Sequence, residues 1–235
     1  MEDFFSRSEA LLGAEAMIAL AEKRVILFGV GGVGSWCAEA LVRTGLKHLT
    51  IVDDDTVQPS NLNRQLPATR DTIGRAKVEV LRERLLSINP EAEIIALRQR
   101  YTEEQSFDFQ LSTFDFVVDA IDSVNDKADL LINATRAGVR VLSSMGAALR
   151  LNPTRVRVSA LDRVSGDGLA RALRQRFKKI GQWPAHSIRC VWSEEQPMRM
   201  ANGERTKGSL MPVTATFGCT LASLVINELM EQSNL

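Results

Sequence analysis

Apolar residues recur along the first two thirds of the chain in two alternating rhythms. Short, nearly continuous apolar runs at 25–28, 48–52, 93–97, 114–121 and 140–144 predict strands buried on both faces. The segments between them carry helical spacing: 35–44, 74–88 with Val78, Leu81, Leu85 and Ile88 on one stripe, and 124–137. Asn89-Pro90 stops the second of these helices. Ahead of the first strand, Leu11, Leu12, Ala16, Ile18 and Ala19 predict one N-terminal helix over 6–22. Strands alternating with helices predict an α/β protein: a doubly wound, mostly parallel, Rossmann-like sheet covered on both faces.

The rhythm changes after about residue 146. Residues 155–161 alternate charged and apolar positions, as a strand with one solvated face would. Residues 168–180 form a basic amphipathic helix, and 181–212 read as irregular. The stretch 212–230 is apolar, but Thr214, Thr216, Thr220, Ser223, Asn227 and Glu228 make it too polar for a membrane span. It is expected to be a packed terminal helix. With an acidic N-terminus that lacks the pattern of a secretory leader, the expectation is a cytoplasmic protein. A single domain spans 1–235, with its core at 24–146 and a C-terminal elaboration at 147–235.

Composition narrows this little, since 29 Lys and Arg balance 29 Asp and Glu. Cys37, Cys190 and Cys219 are odd in number and widely spaced, which excludes a disulfide framework and a Cys₄ zinc site. The informative feature is Gly29-Val30-Gly31-Gly32-Val33-Gly34. It fits G-x-G-x-x-G, follows a predicted strand and opens a predicted helix, so backbone amides and the helix N-terminus can receive phosphate. Asp53, at the end of the next strand, is placed to accept from ribose hydroxyls. These residues suit an NAD-dependent oxidoreductase as well as an ATP enzyme. Asn61, Arg64 and Lys77 favour ATP, because a polar and cationic cluster can neutralise a triphosphate while a carboxylate attacks it. Asp122, just past the fourth strand, is placed to hold Mg²⁺, whereas Asp119 either caps the next helix or joins that site.

In order, GVGGVGSW, IVDDD, NLNRQ, GRAKVE and DAIDS resemble the ubiquitin-activating-enzyme superfamily, whose bacterial members adenylylate sulfur-carrier proteins. FSRSEALLG, SSMGAALRLNPTRVRV and CVWSEEQP make the chain most similar to that superfamily's tRNA threonylcarbamoyladenosine dehydratases. The resemblance implies ATP-driven activation of the threonyl carboxylate on tRNA, then ring closure with loss of water. Activation of a ubiquitin-like sulfur carrier is the alternative, and a non-catalytic nucleotide-binding regulator a third reading. Gly29, Gly31, Gly32 and Gly34 match the phosphate turn, while Asp53 matches the ribose acid, with Asp55 beside it in the nucleotide-binding set. Asn61, Arg64 and Lys77 match the phosphate ligands, and Asp122 the Mg²⁺ acid. Arg7 resembles an N-terminal arginine that reaches a partner subunit's ATP, which implies a homodimer; a sulfur-transfer or persulfide partner stays open. The zinc-holding C-x-x-C pairs of many sulfur-carrier activators are absent, and ring closure needs no thioester, so Cys190 is expected to be a packed thiol.

From Arg150 to Arg189 ten Lys or Arg residues face only Asp162 and Asp167. That separation suits a phosphate backbone, with Arg171, Arg174, Arg176, Lys178 and Lys179 as the RNA-binding candidates. Trp183 and Trp192 flank the stretch and could stack a base.

Overall fold

The computed structural model describes residues 4–199 and 208–231. Seven strands form one sheet: β1 (Arg24–Phe28), β2 (His48–Val52), β3 (Glu93–Leu97), β4 (Phe116–Asp119), β5 (Arg140–Ser144), β6 (Val156–Ala160) and β7 (Arg189–Ser193). Their order is β3-β2-β1-β4-β5-β7-β6, with every pairing parallel except that of β6 with β7. β1 is apolar on both sides because both of its faces are covered. Val25 and Leu27 join one core layer, Ile26 and Phe28 the other.

The first layer is built by α3 (Gly34–Thr44), α4 (Lys77–Ile88) and α7 (Met211–Glu231), and the second by α5 (Val124–Arg136) and α6 (Gly168–Ile180). In α7, Val213, Phe217, Leu221, Val225 and Leu229 recur every four residues and are all buried. Its span Met211–Met230 has a mean hydropathy of 1.4 and the length to cross a bilayer, but this stripe packs on α3. A Cβ at Gly218 would lie 2.4 Å from the Val33 carbonyl oxygen and 2.9 Å from the Cys37 nitrogen, so only glycine lets α7 come this close.

Several boundaries differ from the sequence pattern. The N-terminal helix is two, α1 (Ser6–Leu12) and α2 (Ala14–Ala21), because Gly13 takes φ 85° and ψ 153° between them. α4 starts at Lys77 rather than 74. Residues 74–76 instead form a turn (Gly74 φ 87°) and a single bridge from Ala76 to Thr56, with Gly74 N–H donating to Val57 O and Val57 N–H to Arg75 O, both at 2.9 Å. The irregular region 181–212 contains β7, which continues the sheet beyond β5; residues 200–207 of that region lie outside the described residues. The part assigned as an elaboration therefore extends the central sheet itself.

Candidate nucleotide site

β1 is the point where the sheet changes direction, with β2 on one side and β4 on the other. The crevice beyond the strand ends opens there. Gly29 N–H donates to Val52 O and Ala120 N–H to Phe28 O, each at 2.8 Å, so the turn after β1 is sewn to both neighbours. Gly29 has φ 85°, and a Cβ on it would sit 2.7 Å from Ala120 O. At Gly34 a Cβ would lie 1.8 Å from Gly29 O, so the tight turn into α3 exists only with glycine there. Among the described residues the amides of 31–34 donate to no acceptor, as expected at a helix N-terminus that can receive phosphate.

Asp53 closes the turn from the β2 side. Its Oδ2 accepts from Val30 N–H at 2.8 Å and its Oδ1 from Asp55 N–H at 2.9 Å. Burial pushes the Asp53 carboxyl above the ordinary carboxylate value, although Lys77 and these two amides pull the other way. Lys77, the buried first residue of α4, reaches Asp55 Oδ2 with its Nζ at 2.6 Å. An ammonium at a helix N-terminus opposes the helix dipole. Here Asp55 compensates it, and the same charge is what a phosphate needs.

Arg64 arrives from the loop between β2 and α4. That loop is pinned to α3 by Trp36 Nε1–H donating to Arg64 O at 3.0 Å and Leu66 N–H to Ser35 Oγ at 3.3 Å. The Arg64 Cγ consequently lies 3.2 Å from where a Gly32 Cβ would be, with Thr214 of α7 on the same glycine at 3.4 Å. Arg64 Nη1 donates to Ser60 O and Asn63 Oδ1 and lines an open cavity of about 410 Å³ with Trp36, Gln65 and Met211.

The structure thus brings Gly29, Gly31, Gly32, Gly34, Asp53, Asp55, Arg64 and Lys77 together. Asn61 is buried below them, its Oδ1 accepting from Gln58 N–H at 2.9 Å, so its visible work is to shape the loop that carries Arg64. Asp122 is exposed in the turn after β4, two residues beyond the Ala120 that abuts Gly29. Asp53, Asp54 and Asp55 offer carboxylate oxygens within 4.8 Å of one another on the opposite rim. Arg7 is exposed on α1, which buries none of its residues.

One part of the site was not read from the sequence. Asp119 caps no helix: it is fully buried, 2.6 Å from the equally buried Lys127 Nζ, and also accepts from Ser143 Oγ–H at 2.6 Å. Asp119 Oδ1 takes Ile121 N–H at 3.1 Å and Lys127 Nζ donates to Ile121 O at 2.9 Å, so the pair grips the two peptide groups that flank the Ile121 Cα, beside Asp122. The available signal was a lysine on the apolar stripe of the helix, in line with Leu130, Leu131 and Ala134.

The basic stretch is less free than its sequence suggests. Arg150 is buried and pairs with Asp167, Arg155 and Arg157 pair with Glu194, and Arg189 pairs with Glu228. Arg174 donates to the carbonyls of Leu161 and Val164 at 2.8 and 3.1 Å, and Arg176 has a buried Nε and faces Asp129. Arg174 and Arg176 therefore serve packing, whereas Arg171, Lys178 and Lys179 are exposed and enter no ion pair among the described residues. Trp192 is 9% exposed and Trp183 54%. Cys190 sits buried in β7, its thiol pushed up to about 12 by burial, and Cys37 is buried in α3, so neither has the microenvironment of a nucleophile.

A Rossmann-like sheet with a glycine phosphate turn, a ribose-side acid and two cations over the turn defines a nucleotide-binding protein of the adenylating type. The chain belongs to the ThiF family, whose model matches residues 5–234. It is similar to the tRNA threonylcarbamoyladenosine dehydratase of Escherichia coli strain K12, at 33% identity over 97% of this chain and 94% of that protein. The Bacillus subtilis strain 168 dehydratase is 39% identical over 83% of this chain and 76% of its own length. The crystal structure of the E. coli dehydratase in complex with ATP superposes with a TM-score of 0.90 at 34% identity, covering 98% of this chain and 95% of that one.

Proposed function

We propose that this chain is an ATP-dependent tRNA threonylcarbamoyladenosine dehydratase. The observation that carries the reading is the convergence of Arg64 and Lys77 on a turn of unengaged amides beside Asp53, in a chain whose full-length relatives bear that name. ATP lies with its ribose towards Asp53 and its phosphates on the 31–34 amides. The threonyl carboxylate of the modified tRNA attacks the α-phosphorus, the bond to the bridging oxygen breaks, and pyrophosphate leaves. Lys77 and Arg64 stabilise the charge that develops on the departing phosphates. A nitrogen of the same modification then attacks the acyl carbon, AMP leaves, a proton is released, and the ring closes. The net change on the tRNA is the loss of one water.

Mg²⁺ fits the donor set, because Asp122 presents an exposed carboxylate beside the turn and Asp53–Asp55 add three more across it. When bound it neutralises phosphate charge. The enzyme acts as a cytoplasmic homodimer in this reading, with Arg7 of each protomer completing its partner's site. Arg171, Lys178 and Lys179 face the RNA backbone. The test is mass spectrometry of nucleosides from modified tRNA incubated with enzyme and ATP. Loss of one water, with AMP and pyrophosphate formed only when that tRNA is present, is expected. Turnover stimulated only by a Gly-Gly-tailed carrier protein would replace the reading, and absence of ATP turnover would leave a nucleotide-binding regulator.

A further inference from the structure

Trp183 is the one tryptophan among the described residues that stands largely in solvent, at 54% exposure, and the fold gives it a setting the sequence does not display. It follows the left-handed Gly181 (φ 68°) that ends α6, and its ring is backed by the buried Phe177 at 5.6 Å between centroids. Its position relative to the crevice follows from two hydrogen bonds. Asp167, the N-cap of α6, accepts from Gly146 N–H just past the end of β5, on the crevice side. At the other end Ala185 N–H donates to Thr135 Oγ at 2.9 Å, in the last turn of α5. α6 and α5 therefore run side by side from the crevice edge to the opposite edge of the sheet. The 13 residues of α6 set Trp183 about 20 Å from that edge.

The second hydrogen bond also brings in a charge from outside the basic stretch. Arg136, the neighbour of Thr135, is exposed and enters no ion pair among the described residues. Lys178 and Lys179 lie on the exposed side of α6, in line with Arg171 and Gln175. Of the acids on the neighbouring helix, Asp126 pairs with Arg100 at 2.8 Å, and Asp129 is held above the ordinary carboxylate value by burial and by Glu103, with Arg176 pulling the other way. An exposed indole held from behind, with unpaired cations at the same end of α6, is the combination that takes a stacked base and its flanking phosphates. An apolar protein partner would leave three cations buried without counter-charge.

We infer that Trp183, with Arg136, Lys178 and Lys179, forms a second RNA-binding platform that stacks an unpaired nucleobase of the tRNA about 20 Å from the crevice edge. This rests on tRNA being the substrate. It makes recognition two-pronged, with the modified nucleotide in the crevice and another part of the same RNA on the far end of α6.

The probe is unmodified tRNA titrated against the full-length protein, with Trp fluorescence and filter binding as readouts and ATP affinity as the check on folding. Stacking quenches Trp183, so Trp183→Phe is expected to remove most of the quench while changing Kd only a few-fold. Trp183→Ala is expected to raise Kd for tRNA by about 5- to 150-fold. Lys178→Gln with Lys179→Gln is expected to lower the slope of log K against log salt by about 0.7–0.9 for each phosphate that the variant no longer neutralises. A Kd for Trp183→Ala within two-fold of the parent, or a quench that persists in Trp183→Phe, overturns the platform. If the parent protein dehydrates tRNA and Trp183→Ala binds it normally, only the platform falls. If the parent neither binds nor dehydrates tRNA, the functional reading falls with it.

Discussion

Replacing Lys127 by methionine removes the ammonium that is fully buried against the fully buried Asp119, at nearly constant side-chain volume. The carboxylate left behind still accepts from Ile121 N–H and Ser143 Oγ–H, but it has lost its counter-charge in a site without solvent. Breaking one side of such a pair costs about 3–5 kcal/mol, most of it the desolvation of the orphaned charge. For a chain of this size each kcal/mol moves Tm by about 2–4 °C, so a fall of about 6–20 °C is expected. Removing both charges, as Lys127→Met with Asp119→Asn, eliminates the orphan, and stability should return most of the way. The assay is urea unfolding of the four proteins of the cycle, followed by Trp fluorescence, with pyrophosphate exchange measured on each. Activity is expected to behave differently from stability. The Nζ of Lys127 is what holds the Ile121 carbonyl next to Asp122, and methionine cannot replace that bond, so the double variant should be stable and slow. If Lys127→Met costs less than about 1 kcal/mol, or if the double variant is as unstable as the sum of the singles, the pair is not the restraint described. If the double variant regains full exchange activity, the grip on Ile121 does not position the site.

Lys77→Ala and Arg64→Ala should each lower adenylation about 10²- to 10³-fold with Tm nearly unchanged, measured by pyrophosphate exchange and thermal melting; near-normal exchange removes the residue from the phosphate set. Gly34→Ala forces a Cβ to 1.8 Å from a backbone oxygen, so nucleotide binding by calorimetry should be lost and stability should fall by several kcal/mol. Asp53 is held above its unfolded pKa by burial, so its contribution to stability is present below the unfolded value and lost as pH rises through the folded one. The parent should therefore lose stability as pH rises through the folded value, while Asp53→Asn, whose amide cannot accept from both Val30 and Asp55 N–H, should lose ATP affinity. Denaturant midpoints against pH check the sign. Cys190→Ser should keep its specific activity and lose about 1–3 kcal/mol, because a hydroxyl replaces a thiol in a buried strand; an inactive but folded variant would point to a thioester route.

How legible each part was depended on how local its physics is. β2, β5 and α6 were readable residue for residue, because a strand buried on both faces or a strongly amphipathic helix writes its period directly into the chain. β3 has the expected bounds but is an edge strand that leaves Ile95 43% exposed rather than buried on both faces. β7 was hidden: Arg189–Ser193 is a five-residue run between Pro- and Gly-rich flanks, and what makes it a strand is β5, more than forty positions away. The phosphate turn was legible because its glycines meet a constraint set by neighbours a few residues off, such as Gly34 against Gly29. The basic stretch misled for the opposite reason. A count of charges cannot reveal that Glu194 and Glu228 pair with Arg157 and Arg189, nor that Thr135, the neighbour of Arg136, is tied to the segment after α6. The Asp119–Lys127 pair is the sharpest case. Its two residues are eight apart and only the place of Lys127 on an apolar stripe hints at it, yet both must be buried together for either to be tolerated. Their joint burial fixes the Ile121 backbone at the crevice, so the core of the sheet and the geometry of the site are set by the same ion pair.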